Sequence, residues 1–169
     1  MRTKVPLLLL VCGLLATFAL AQSISDRAKR DEITMVPDAD PDMSEAFRRA
    51  GATLDEFLNL AKKPRDDTTD FAVKVAIHDG KNTEYFWVTP FTERNGSFSG
   101  PIDNEPRLVK NVKADQLWRF NRNEIVDWMY FDHSKRRIVG NFTTCALLKH
   151  EPPAEAEKLR KTYGLVCDG

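Results

Sequence analysis

The chain has 169 residues, its 25 lysines and arginines balance 25 aspartates and glutamates, and 42% of it is hydrophobic. That is enough for one ordinary domain with a core of its own. A formal charge of zero excludes a general polyanion binder, whose affinity comes from many phosphate contacts, so no nucleic-acid partner is expected.

The N-terminus reads as a targeting segment. Arg2 and Lys4 precede an apolar run from Val5 to Leu20, and Ala19-Leu20-Ala21 has the small-x-small pattern of a signal peptidase site. The run is short against the roughly 20 residues of a membrane span. Residues 1–21 are therefore expected to be removed after Ala21, leaving no stable membrane anchor and a periplasmic or secreted protein. Loss of Arg2 and Lys4 leaves 23 basic against 25 acidic residues, a net charge of −2. Cys12 leaves with this segment. Cys145 and Cys167 remain, and an oxidising compartment predicts that they pair, stapling the C-terminal tail to the body.

Residues 22–41 are polar, carry Pro37 and Pro41, and read as a flexible leader. Residues 42–169 are expected to form a single domain. Asp38, Asp40 and Asp42 alternate as in a calcium loop, but Met43 and Arg49 occupy the positions where glycine and glutamate are needed. They read instead as acids at the positive end of a helix. Met43, Phe47, Ala50, Leu54, Phe57, Leu58 and Ala61 recur at helical spacing and predict a helix from Asp42 to Lys62. Gly51 and a capping-box pattern at Thr53–Glu56 predict a break in its middle.

Strands follow. Phe71, Val73, Val75 and Ile77 alternate; Asp79-Gly80 predicts a hairpin turn; Glu84–Phe91 is the partner strand. Arg94-Asn95-Gly96 turns into a third strand, Ser97–Ile102. Leu108–Val112, Leu117–Phe120 and Ile125–Phe131 complete about six. In the last of these, Ile125, Asp127, Met129 and Phe131 are expected on one face, with Val126, Trp128 and Tyr130 on the other. A turn at Asp132–Lys135 leads into Arg136–Gly140. Asn141–Lys149 is open between strand and helix; a short helix capped by Asn141 is the preferred reading. Pro153–Tyr163 is a second helix, ended at Gly164. The expected fold is α+β: an N-terminal helix on a curved antiparallel sheet of about six strands, closed by C-terminal helices. A partly closed small barrel is the variant.

Three stretches carry a family resemblance. They are Phe98-Ser99-Gly100-Pro101-Ile102-Asp103-Asn104-Glu105-Pro106, then Val109-Lys110-Asn111-Val112-Lys113, and Ile125-Val126-Asp127-Trp128-Met129-Tyr130; Val139-Gly140-Asn141-Phe142-Thr143-Thr144 continues them. Over about Asp42 to Tyr163 the sequence resembles the YegJ-like family of small bacterial proteins, domain of unknown function 2314. One departure is Ala114-Asp115, where the family leads us to expect a glycine turn. The resemblance implies a bacterial host and brings no catalytic residue with it.

The site readings come from the residues themselves. His78, His133 and His150 have no second ligand at metal spacing, so no metal or other cofactor is expected. A thiol at Cys145 with His150 as base would compete with the disulfide. Glu105 and Asp127 are candidate catalytic carboxylates of a cell-envelope hydrolase, if they meet across the sheet. In the structural alternative, Asp103, Asn104, Glu105, Lys110, Asn111 and Asp127 form a polar network, with Asp127 accepting from backbone or from Lys110. Trp128 and Tyr130, with Trp87 or Trp118, are candidates for a binding groove. The leading expectation is a non-catalytic binding or protein-interaction module whose partner is an envelope protein. An immunity-type protein that binds a toxin is the remaining alternative.

Overall fold

A computed structural model describes residues 40–167. The targeting segment, and all of the leader before Asp40, lie outside the described residues. The chain runs α1 (Pro41–Lys62), β1 (Thr68–Asp79), β2 (Asn82–Val88), β3 (Thr92–Arg94), β4 (Ser97–Pro101), β5 (Leu117–Asn121), a 3-10 turn (Arg122–Glu124), β6 (Ile125–Asp132), β7 (Arg137–Gly140), α2 (Phe142–Leu148) and α3 (Pro153–Tyr163). The class is α+β, as expected. The strands form two antiparallel sheets, β2-β1-β6-β7, which curls, and β3-β4-β5, in place of one. No helix among the described residues is long and apolar enough to cross a membrane.

Helix α1 starts where its first free amides find a carboxylate. Asp40 accepts from the backbone N–H of Asp42 at 2.8 Å and of Met43 at 3.2 Å. Asp40 and Pro41 thus belong to the helix, not to the leader. The expected break at Gly51 is absent. Thr53 turns its hydroxyl back to the Arg49 carbonyl at 2.8 Å, because inside a continuous helix no orphan amide is left for it to cap. Leu54, Phe57 and Leu58 pack with Val73, Val75, Ile77, Phe86, Val88 and Trp128 in the main core. The indole N–H of Trp128 donates to the Ala50 carbonyl at 3.1 Å, which fixes α1 along β6.

Local turn chemistry sets the hairpins. Gly80 (φ 60°) opens the two-residue turn between β1 and β2; Asn95 (φ 53°) and Gly96 (φ 78°) make the turn between β3 and β4. Strand β2 stops at Val88, short of the predicted Phe91, because Pro90 has no N–H for a ladder. The chain then crosses to the second sheet. There Gly100 lies so close to Val88 and Pro90 that an added Cβ would sit 2.5 Å from the Pro90 oxygen.

Two expectations fail for a shared reason: a distant partner overrides the local pattern. Between Lys74↔Asp127 and Val75↔Ile125 the register slips by one residue, so Ile125 joins the core beside Val75 while Asp127 stays in the row of Lys74. The bulge removes Ile125 from the face assigned to Asp127. Helix α2 forms as preferred, but Asn141 does not cap it. Asn141 sits in the left-handed region (φ 58°) and makes no side-chain cap bond. Cys145 and Cys167 are joined by a disulfide between α2 and the tail, with Cα atoms 5.3 Å apart.

Candidate functional site

The residues singled out in the sequence fall in three places. The first is a strap, residues 102–116, which replaces the predicted strand Leu108–Val112. It runs along the outer edge of β2. The Asp103 N–H donates to the Trp87 carbonyl at 2.9 Å, and the Asn104 side chain accepts from the Trp87 N–H at 3.0 Å. Glu84 then gathers three successive amides: Arg107 at 2.9 Å, Leu108 at 2.8 Å and Val109 at 3.1 Å. Asp79 takes the next, from Lys110, at 2.9 Å. Asn111 donates to the His78 carbonyl at 2.9 Å. Consecutive N–H groups converging on carboxylates curl the backbone into an anion nest, which no ladder can share. Val109 and Val112 anchor the strap in the core. Asp115 takes φ 60° at the expected glycine turn. Burial, then the nearby Asp115, raise the Asp103 carboxyl pKa.

The second place is Asp127, fully buried in β6. Its carboxylate accepts from the Trp128 N–H at 2.8 Å, the Phe142 N–H at 3.3 Å, the Thr143 N–H at 2.8 Å and the Thr143 hydroxyl at 2.6 Å. It thereby caps α2 from a neighbouring strand, the task expected of Asn141. Lys74, not Lys110, is its basic neighbour. The Lys74 ammonium donates to the Thr143 hydroxyl at 2.6 Å and lies 4.5 Å from the centre of the Trp87 ring. Burial pushes the Asp127 pKa up, against Lys74 and the Thr143 and Trp128 donors; burial likewise pushes Lys74 down, against Asp127.

Glu105 and Asp127 do not meet. Glu105 is exposed on the strap, and both β2 and β1 lie between it and β6. That distance exceeds two inter-strand spacings of about 4.8 Å each. The six polar residues therefore do not make one network: five lie along the strap, and Asp127 stands apart.

The third place is a cleft of about 530 Å³ between α1 and β7. Trp128 and Tyr130 line it with parallel rings, 6.2 Å between centres, and Phe57 and Phe142 extend the aromatic wall. Trp87 and Trp118, the expected companions, are not in it. Arg49, Arg65 and Arg137 face the same space, with Glu56. Arg65 is held by Asp67 at 3.0 Å and Asp132 at 3.6 Å, and Arg49 lies over the Phe142 ring. The arginines escaped the sequence reading because they come from three separate segments with no spacing to betray them.

His78 and His133 bond to Thr83 and Thr69. The fold carries His150 to 3.6 Å from Asp40 and 3.8 Å from Asp42, which no spacing could reveal. Asp40 is occupied as the α1 cap, and Lys149 already sits 2.6 Å from Asp42.

Comparison with known proteins bears on the whole of this architecture. No solved structure matches the chain. "Uncharacterized protein YegJ" of Escherichia coli K12 is 42% identical over 118 residues, 70% of this chain and 74% of the relative. A family profile described as "Uncharacterized protein conserved in bacteria" covers residues 40–166, from the α1 cap to the tail beside β7. Strap, buried aspartate and cleft all fall inside that span, and the chain belongs to the DUF2314 family.

Proposed function

We propose that the protein is an exported, non-catalytic binding module that uses the cleft between α1 and β7 as its ligand surface. The observation that carries this is the cleft itself. It is of ligand size, and its wall offers the half-buried ring of Tyr130, backed by the core ring of Trp128, beside polar groups that can orient a guest. Export is supported by the apolar N-terminal run and by a cystine of the kind that persists outside the cytoplasm. In this proposal residues 1–21 are a signal, 22–39 a leader, and the rest one working domain. A hydrolase built on Glu105 and Asp127 is disfavoured, since Glu105 lies on the strap and Asp127 in β6, and the oxygens of Asp127 are taken by four donors.

Amide chemical-shift mapping against a library of small aromatic and aliphatic compounds tests the proposal. Binders should shift residues 128–130 and 137–142 together, and Tyr130→Ala should weaken them roughly two- to tenfold, as loss of a ring contact of about 0.5–1.5 kcal/mol implies. Shifts confined to the strap, or none at all, would refute it.

A further inference from the structure

Within the cleft, one group lacks a counterpart. The Nε of Arg137 is buried, yet no acceptor reaches it among the described residues. A guanidinium stays protonated at any physiological pH, and a buried donor without a partner is rare enough to need an explanation. Arg137 opens β7 directly after the turn at 133–136, so its backbone is fixed by pairing with Asp132. The neighbouring charges do not serve it. Asp132, paired across the strands, has one oxygen bonded to the Ser134 hydroxyl and the Lys135 N–H. Its other oxygen has Arg65 and Lys135 at 3.6 and 3.5 Å and no hydrogen bond among the described residues, and it does not reach the Arg137 Nε either. Among the described residues, Glu56 is the only acidic one lining the cleft, against three arginines.

We propose that Arg137 is the anion receptor of this cleft and that the ligand is a monocarboxylate carried on an aromatic body. The proposal rests on the cleft reading above and names its ligand class. Nε–H and one Nη–H of a guanidinium form a fork that matches the two oxygens of a planar carboxylate. The ring of such a ligand has the half-buried Tyr130 to pack on, backed by the core ring of Trp128. A single charge is specified for two reasons. Arg65 is already neutralised by Asp67 and Asp132, and Glu56 on the wall would repel the second charge of a phosphate dianion.

The test uses the oxidised protein and three matched probes: indole-3-acetate, its neutral amide and phenyl phosphate, followed by ligand-observed NMR. The acid should bind, with the amide and the phosphate at least about tenfold weaker, as loss of a charge-assisted hydrogen bond implies. Arg137→Gln should remove the preference for the acid. Arg137→Lys keeps the stem and the charge but not the fork; it should fold as the parent does and still bind the acid about tenfold more weakly. Equal binding of acid and amide, unchanged in both variants, would overturn the role of Arg137 while leaving the cleft as a binding surface. Tighter binding of the phosphate would overturn the single-charge assignment. No binding of any probe, together with silence across the wider library, would remove the carboxylate site and the cleft reading alike.

Discussion

Thr143 shows how much one hydroxyl can be asked to do. It donates to Asp127 and accepts from Lys74, so it joins a buried anion to a cation that never touches it directly. Valine has the same shape and can do neither. Thr143→Val should lower stability by about 1–3 kcal/mol, the usual cost of leaving a buried polar group unsatisfied. Thr143→Ser, which keeps the hydroxyl, should lose only the methyl, about 0.8 kcal/mol. Urea denaturation of the three proteins ranks them; equal midpoints for Val and the parent would mean that the bridge contributes nothing. Asp132 makes a different prediction. The Ser134 hydroxyl, more than the opposing burial, holds its pKa below 3.8, helped by the Lys135 N–H. A carboxyl with a depressed folded-state pKa stabilises above its unfolded value and stops doing so as pH falls through the folded one. Stability should therefore decline below 3.8, and Ser134→Ala should be less stable near neutrality with a shallower acid slope. The two curves of unfolding free energy against pH should converge at the acid end. Parallel curves would show that Ser134 does not set this titration.

The strap is an element without a ladder, and its stability rests on side chains of the hairpin beneath it. Glu84 holds three amides and Asp79 a fourth. Glu84→Ala should release residues 107–109 while α1 and β1 stay folded. Their amides should exchange with deuterium faster, and trypsin should cut after Arg107 or Lys110 at concentrations that leave the parent intact. Unchanged exchange at these positions would mean that Val109 and Val112 alone hold the strap. The same element explains what the sequence disclosed and what it hid. Helix α1, α3 and the turns at Gly80 and Asn95-Gly96 were legible because their determinants are local: an apolar stripe, a proline at the first turn, residues that tolerate positive φ. The strap was misread as a strand because Leu108 to Val112 has the composition of one, whereas the carboxylates that bend it sit 23 to 31 residues away. The cap of α2 was given to Asn141 for the same reason, when its donors find Asp127, 15 and 16 residues earlier. The aromatic half of the cleft was visible in Trp128 and Tyr130. Its basic half was not, since Arg49, Arg65 and Arg137 meet only in the folded chain.

At the scale of the molecule, the tail ties the small C-terminal cluster to the sheet. Leu148, Ala156, Leu159 and Leu165 form a core separate from the one under α1. Its links to the rest include the Cys145–Cys167 disulfide and the pairing of Leu165 with Ile138, where the Ile138 N–H donates to the Gly164 carbonyl at 2.8 Å. Val166, next to the cystine, lines the cleft. The cystine spans 22 residues of sequence, and closing such a loop in the unfolded chain is worth about 3 kcal/mol. Reduction, or replacement of both cysteines by serine, should lower the unfolding free energy by about that amount. The loss should be local in its dynamics even though it is global in its thermodynamics. Hydrogen exchange should quicken across residues 153–167 and at Ile138, and hardly at all in α1 or β1, whose core does not depend on the tail. Because Val166 walls the cleft, the reduced protein should also bind cleft ligands more weakly. If reduction left both the denaturation midpoint and the exchange of residues 153–167 unchanged, the small core and the Ile138 pairing would be sufficient to hold the tail. The cystine would then be neutral to both stability and the shape of the cleft.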